Sequence, residues 1–317
     1  MARFSAADIR GAQARIPAAF RDSPQYVHEG LSARLGVPVV VKVETLNPIR
    51  AFKGRGTWLA VEALVGEGRL TKARGAIVAS SGNFGQGIAY ACRAAGAPAT
   101  VYVAETTPAI KVARMRALGA RVVVNGRDFD TARVACEAEA ATGAGLLIID
   151  GEDPRVAIGN GTMAVEVTDG VAAGALPVIS AAYVPLGNGA LLSGVGTWLR
   201  EASPSTRVIG VVAEGAPCMA LSWRAGRVIE TAEAATYAEG IACRVPVPEA
   251  LGDMAGVVDD ILLVSEAALH TAEAELTAQL GVTVEGAAAA SWAGALASRP
   301  DGPALLIITG ANPSSAA

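Results

Sequence analysis

An alternation of two kinds of segment limits the folds open to this chain. Short runs rich in β-branched residues, apolar almost throughout, recur between longer amphipathic runs. The spacing predicts strands at 39–44 (VVVKVE), 75–80 (GAIVAS), 99–104, 121–125, 145–150, 178–187, 207–213, 256–264 and 304–309 (ALLIIT). Helical periodicity fills gaps at 84–95, 108–118, 128–142, 190–201, 265–280 and 285–298. Strands without a polar face must be covered on both sides, the condition of parallel sheets flanked by helices. The expected class is α/β. The run 75–150 is compact enough to form its own small sheet, with GEDPRVAIGNG (151–161) as the return crossing.

Composition removes several function classes. Hydrophobic residues make up 52% of the 317 and charged residues 18%, enough for a large core and against disorder. The net charge of −4 and the scattered basic residues argue against nucleic-acid binding. Four cysteines without CxxC spacing and two distant histidines argue against a disulfide framework and a structural zinc site. The first twenty residues contain no continuous apolar stretch of the secretory kind. The longest apolar run, 171–187, is interrupted by Pro and Gly and is shorter than a membrane span. A soluble, cytoplasmic protein is expected.

Within ETLNPIRAFKGRG (44–56), Lys53 stands at an expected helix start, with Arg50 and Arg55 on either side. A cation there opposes the helix dipole by roughly 0.3–1 kcal/mol. Three loops suggest why it is tolerated. In SSGNFGQG (80–87), hydroxyls, an amide and glycines gather at a strand-to-helix turn. Taken alone this is an ordinary capping turn; it is also a ready site for a carboxylate or phosphate. Gly187-Asn188-Gly189-Ala190 opens another helix with small residues, and neither a Walker A loop nor a dinucleotide fingerprint follows. Thr309-Gly310-Ala311-Asn312 closes the last strand with a hydroxyl. All three loops, and Lys53, follow the carboxyl ends of expected strands, where α/β proteins bind ligands. A reactive amine, two anion cradles and a hydroxyl fit a phosphorylated aldehyde held as a Schiff base, which is pyridoxal 5'-phosphate.

The ordered motifs NPIRAFKGRG, SSGNFGQGIA, KVARMRALGARV, VPLGNGALLSG, AEGAP, TYAEGIACR, TVEGAAAA and ITGAN carry a similarity that runs from about residue 20 to 313. In this order they resemble the threonine/serine dehydratase and serine racemase branch of the fold-type II pyridoxal phosphate enzymes. The resemblance implies two domains, each a mostly parallel twisted sheet covered by helices. Residues 1–74 and 151–317 would form the large cofactor-binding domain, and 75–150 a small mobile one. It implies that Lys53 bonds the cofactor aldehyde, with Phe52 packed on the ring and Asn83 on its phenolic oxygen. Gly187, Asn188, Gly189, Ala190 and Leu191 would hold the phosphate, and Thr309 would face the pyridine nitrogen. Ser80, Ser81, Asn83 and Phe84 would surround the substrate carboxylate, and Glu285 matches an acidic position near the ring. Arg50 or Arg55 is expected to favour the uncharged amine of Lys53.

The implied reaction is β-elimination of a small β-hydroxy amino acid such as threonine, serine or 3-hydroxyaspartate, giving a keto acid and ammonia. The implied assembly is a homodimer. The chain departs from the family in carrying Phe84 where His is usual. It lacks the carboxylates that relatives with a divalent-cation site carry at the position of Val212 and near Cys218, so no metal is expected. Ser81 keeps racemisation open, because racemases of the family use a Ser there as a second acid or base. A β-replacement synthase, or a protein that only binds the cofactor, also remains open.

Overall fold

The computed structural model describes residues 3–127 and 129–313. The start of the helix expected at 128, and residues 314–317 of the last expected segment, lie outside them. Ten strands are present among the described residues: β1 (Gln25–Val27), β2 (Val39–Val43), β3 (Ala76–Ala79), β4 (Ala99–Val103), β5 (Arg121–Val124), β6 (Leu146–Leu147), β7 (Ala181–Pro185), β8 (Arg207–Ala213), β9 (Asp260–Val264) and β10 (Ala304–Ile308). The helices are α1 (Ala6–Gln13), α2 (Glu29–Leu35), α3 (Lys53–Gly66), α4 (Asn83–Ala95), α5 (Ala109–Ala117), α6 (Phe129–Ala141), α7 (Pro154–Ala172), α8 (Ala190–Ala202), α9 (Cys218–Ala225), α10 (Pro248–Met254), α11 (Glu266–Leu280) and α12 (Gly286–Ser298).

Two sheets result. One has the order β1-β2-β10-β7-β8-β9, with only β1 antiparallel; the other has the order β5-β4-β3-β6 and is wholly parallel. β2, β7 and β10 are buried at every position, as strands covered on both faces must be. The four-stranded sheet is drawn from residues 76–147 and the six-stranded sheet from the segments on either side. Each expected strand is present, although 145–150 contracts to Leu146–Leu147 and 256–264 to Asp260–Val264.

The stretch expected as a return crossing holds instead the start of α7, which at 19 residues is the longest helix described. Asp153 caps it, accepting from Arg155 N, and Pro154 occupies its first turn. Its glycines read as loop residues in the sequence but serve helix packing. A Cβ on Gly159 would stand 2.7 Å from the Arg55 carbonyl, and one on Gly56 2.4 Å from that of Val156. Only glycine at both positions lets α3 and α7 run this close. The structure also adds β1 and the helices α1, α2, α9 and α10, none of which the alternation predicts. No helix among the described residues is long and apolar enough to cross a membrane.

Candidate active site

Strand order assembles the site. β10 lies between β2 and β7, so the segments that follow these three strands emerge side by side. They carry Thr309, Lys53 and the Gly187–Leu191 loop. Phe52 N donates to the Thr309 carbonyl at 2.9 Å, and an isolated bridge joins Ala51 to Gly310, fastening the start of α3 to the end of β10. Asn47 shapes the preceding turn: its Nδ2 donates to the Glu44 and Ala51 carbonyls, and its Oδ1 accepts from Ile49 N and Ala51 N.

Lys53 is therefore the first residue of α3. Its Nζ lies 2.5 Å from Asp150 Oδ2, 5.0 Å from the centre of the Phe52 ring and 5.7 Å from that of Phe84. The role expected of Arg55 is corrected. Its fully buried guanidinium points away from the amine and donates to Glu44, Glu166, Thr162 and Ser23. Burial opposes its charge, but the two carboxylates outweigh that and hold its pKa above the ordinary arginine value. Arg50 sits near Arg114, whose pKa is lowered by burial and then by Arg50's charge. The ion partner of the Lys53 amine is Asp150, and Arg55 serves the core.

The turn after β3 brings in the second sheet. Ser80 Oγ accepts from Gly85 N at 3.0 Å and Gly82 N at 3.3 Å, so this hydroxyl oxygen shapes the turn. Ser81 is half-buried and lines the cavity. Asn83 Nδ2 donates to Glu285 Oε1 at 2.9 Å and Oε2 at 3.2 Å, while its Oδ1 accepts from Asn312 Nδ2 at 2.8 Å. Glu285 precedes α12 and also accepts from Asn312 N. Burial pushes its carboxyl above the ordinary glutamate range, and the donors from Asn83 and Asn312 only partly offset this. Three distant segments are thus locked around one carboxyl group.

The third loop caps α8. Gly189 has φ +101°, a left-handed conformation that favours glycine. A Cβ on Gly187 would stand 2.6 Å from the Gly240 carbonyl. Gly187, Asn188, Gly189 and Leu191 line the cavity; Ala190 does not, and its N–H is accepted by Asn188 Oδ1 at 3.2 Å.

Lys53, Asp150, the turn at 80–84, Glu285, Thr309 and the loop at 187–191 apart from Ala190 open on a cavity of about 1640 Å³, against roughly 300–1,000 Å³ for common small-molecule sites. Thr309 Oγ1 is buried in its wall and has no hydrogen-bond partner among the described residues. A buried hydroxyl left unpaired is costly, so it calls for a ligand heteroatom. That orphan hydroxyl, an open glycine turn on a helix N-terminus and an amine are the donor set that a phosphorylated pyridine aldehyde requires.

The model of the family described as "Pyridoxal-phosphate dependent enzyme" matches residues 17–310. The chain belongs to that family. Pyridoxal 5'-phosphate is accordingly its cofactor, and the fold is the two-domain α/β type expected from the motifs. An L-threonine ammonia-lyase of Geobacter sulfurreducens is 35% identical over 285 residues, covering 89% of this chain and 69% of that protein. The crystal structure of a T.th. threonine deaminase superposes with TM-score 0.90 at 30% identity, covering 99% of this chain and 100% of that one. Maize serine racemase superposes with TM-score 0.89 at 26% identity, covering 97% and 93%.

Asp150 is one site residue that the sequence reading did not single out. It ends a segment expected as a strand, so the rule that picked the other three loops applied to it as well. Lys111 on α5 was missed likewise; it is buried and paired with Glu239 across the cavity. Val212 and Cys218 are both core residues, and no group of three or more His, Cys, Asp or Glu among the described residues could hold a metal ion.

Proposed function

We propose that this enzyme is a lyase that removes the β-hydroxyl of a small amino acid such as threonine, serine or 3-hydroxyaspartate, releasing a keto acid and ammonia. The observation that carries the reading is the Lys53 amine in one cavity with the orphan Thr309 hydroxyl and the glycine turn at 187–189. Kinship to threonine ammonia-lyases supports the reaction class.

Pyridoxal phosphate, when bound, supplies the electron sink for the pair left when a Cα–H bond breaks. The chain's own residues do the rest. Lys53 would hold the aldehyde, and its free amine would accept the substrate's Cα proton at Nζ. Gly187, Asn188, Gly189 and Leu191 would hold the phosphate at the positively polarised start of α8, while the Ala190 N–H, expected to join them, is bonded to Asn188 Oδ1. Thr309 would meet the ring nitrogen with a neutral hydroxyl rather than a carboxylate. Phe52 and Phe84 wall the amine from water. The turn Ser80, Ser81, Asn83 and Phe84 receives the substrate carboxylate, and Glu285 orients Asn83. In the same reading residues 75–150 form a small domain that closes on the rest, and the protein is a cytoplasmic homodimer without nucleic-acid or membrane partners. The net charge of −4 supports the exclusion of nucleic acid.

Ser81 favours a second reading, racemisation, because it lines the cavity and can serve as a second acid or base. Purified protein is expected to show a visible cofactor band that Lys53→Ala removes. A panel of L-threonine, L-serine, 3-hydroxyaspartate and aryl-serines, read for keto acid and by chiral chromatography, separates the two readings. Inversion without keto acid would replace elimination by racemisation; a colourless protein with no borohydride-reducible label on Lys53 would sink both.

A further inference from the structure

We infer that Asp150 is a positioning residue for Lys53: its carboxylate holds the ε-ammonium that forms when Lys53 takes the substrate's Cα proton. The inference rests on the proposed role of Lys53 as that base. Its grounds lie in the chain itself. Lys53 and Asp150 are 97 residues apart, yet Nζ and Oδ2 meet at 2.5 Å inside the cavity. The chain on either side of Asp150 is held. Before it, Ile148 N donates to the Ile77 carbonyl at 3.0 Å, tying the segment to β3. After it, Arg3 donates to the Gly151 and Glu152 carbonyls and is itself paired with buried Asp253. The glycine contacts at Gly56 and Gly159 set α3 against α7, and Asp150 lies four residues before α7. The Asp150 loop is therefore clamped at both ends. Its second oxygen, Oδ1, is buried and has no partner among the described residues. The carboxylate is committed to the amine and to whatever enters the cavity.

The amine passes through two charge states. To attack the aldehyde it must be neutral; after taking the Cα proton it is an ammonium. In that second step the C–H bond breaks, the proton forms a bond to Nζ, and the electron pair stays with the substrate carbon and its electron sink. A carboxylate at hydrogen-bond distance makes a charge-assisted bond to the second state that the first cannot match. Removing its charge therefore acts in opposite directions on the two steps, which a purely structural residue would not do.

The experiment compares wild type, Asp150→Asn and Asp150→Glu in two assays. One follows the visible band as apoprotein is mixed with pyridoxal phosphate at constant neutral pH. The other measures keto-acid release from ordinary and C2-deuterated threonine or serine. Asp150→Asn is expected to form the band at least as fast as wild type. Its turnover should fall roughly ten- to hundredfold, the weight of one hydrogen bond to a charged group, with a larger deuterium isotope effect. Asp150→Glu is expected to recover part of the turnover. Parallel loss of band formation and turnover in Asp150→Asn would mean that the residue only holds its loop, and unchanged turnover would mean that the ion pair is idle; either result overturns the inference. A wild type with no band at all would instead remove the role of Lys53 on which the inference stands.

Discussion

Replacing Arg55 by Met tests the reading of the cation-rich segment around Lys53 most directly. Arg55 is 0% exposed, Glu44 1% and Glu166 5%, and Lys42 completes the group at 0%. Two cations therefore face two carboxylates with almost no water. The guanidinium makes bonds of 2.9 Å to each oxygen of Glu44, 2.6 and 2.9 Å to those of Glu166, and 3.0 Å to Thr162 Oγ1. Methionine fills much of the volume but leaves two buried carboxylates with one ammonium. Removing one member of a buried ion pair costs about 3–5 kcal/mol, against a total stability of about 5–15 kcal/mol for a folded protein. Urea unfolding of Arg55→Met at pH 7.5 should thus show a large fall in midpoint. The pH dependence gives a second check. Burial raises the Glu166 carboxyl, but Arg55 and then Lys42 outweigh it, so its folded pKa lies below its unfolded one. In wild type its contribution is complete above the ordinary glutamate value of about 4.3 and is lost as pH falls through the lowered folded pKa. In Arg55→Met the stranded carboxylates take up protons more readily, so the gap to wild type should narrow between pH 7.5 and 5. A loss under about 1 kcal/mol, the worth of an exposed pair, or a gap that does not change with pH, would refute the buried-network argument.

Three other outcomes follow from the site and core. Thr309→Val should leave the apoprotein as stable as wild type or more so, since the hydroxyl is buried without a partner, while weakening cofactor binding by about 0.5–1.5 kcal/mol, one net hydrogen bond; fluorescence titration with pyridoxal phosphate measures the second effect. Gly187→Ala would set a Cβ 2.6 Å from a backbone carbonyl, costing about 1–3 kcal/mol and reducing cofactor affinity in the same titration. Burial pushes the thiols of Cys92 and Cys136 up to about 12, so neither should react with Ellman's reagent at pH 8 until urea unfolds the chain, which counting of modified thiols will show.

The local parts of this protein were legible because local sequence controls them. Apolar runs of strand length required a two-faced sheet, and the small polar residues at 80–83 and 187–190 required turns at helix starts. Those rules also located Thr309, whose place after a buried strand pointed to the ligand crevice. They failed at 154–172, because glycine between small apolar residues marks a loop by local propensity and a close helix contact by tertiary packing. They failed again at Arg55, where proximity in sequence suggested a charge acting on Lys53. A helix turns successive side chains by about 100°, so neighbours two apart point in different directions, one to the cavity and the other to the core.

By itself the sequence determined the α/β class, the kinds of loop and the cofactor, since each depends on hydrophobic period or on residue type at a turn. Tertiary structure alone decided that β10 slides between β2 and β7, bringing Thr309 beside Lys53 and the 187–191 loop. It alone brought Asp150 to the amine and joined Asn83, Glu285 and Asn312. Such pairings come from sheet order and helix packing across hundreds of residues of chain, and no local periodicity encodes which strand ends become neighbours.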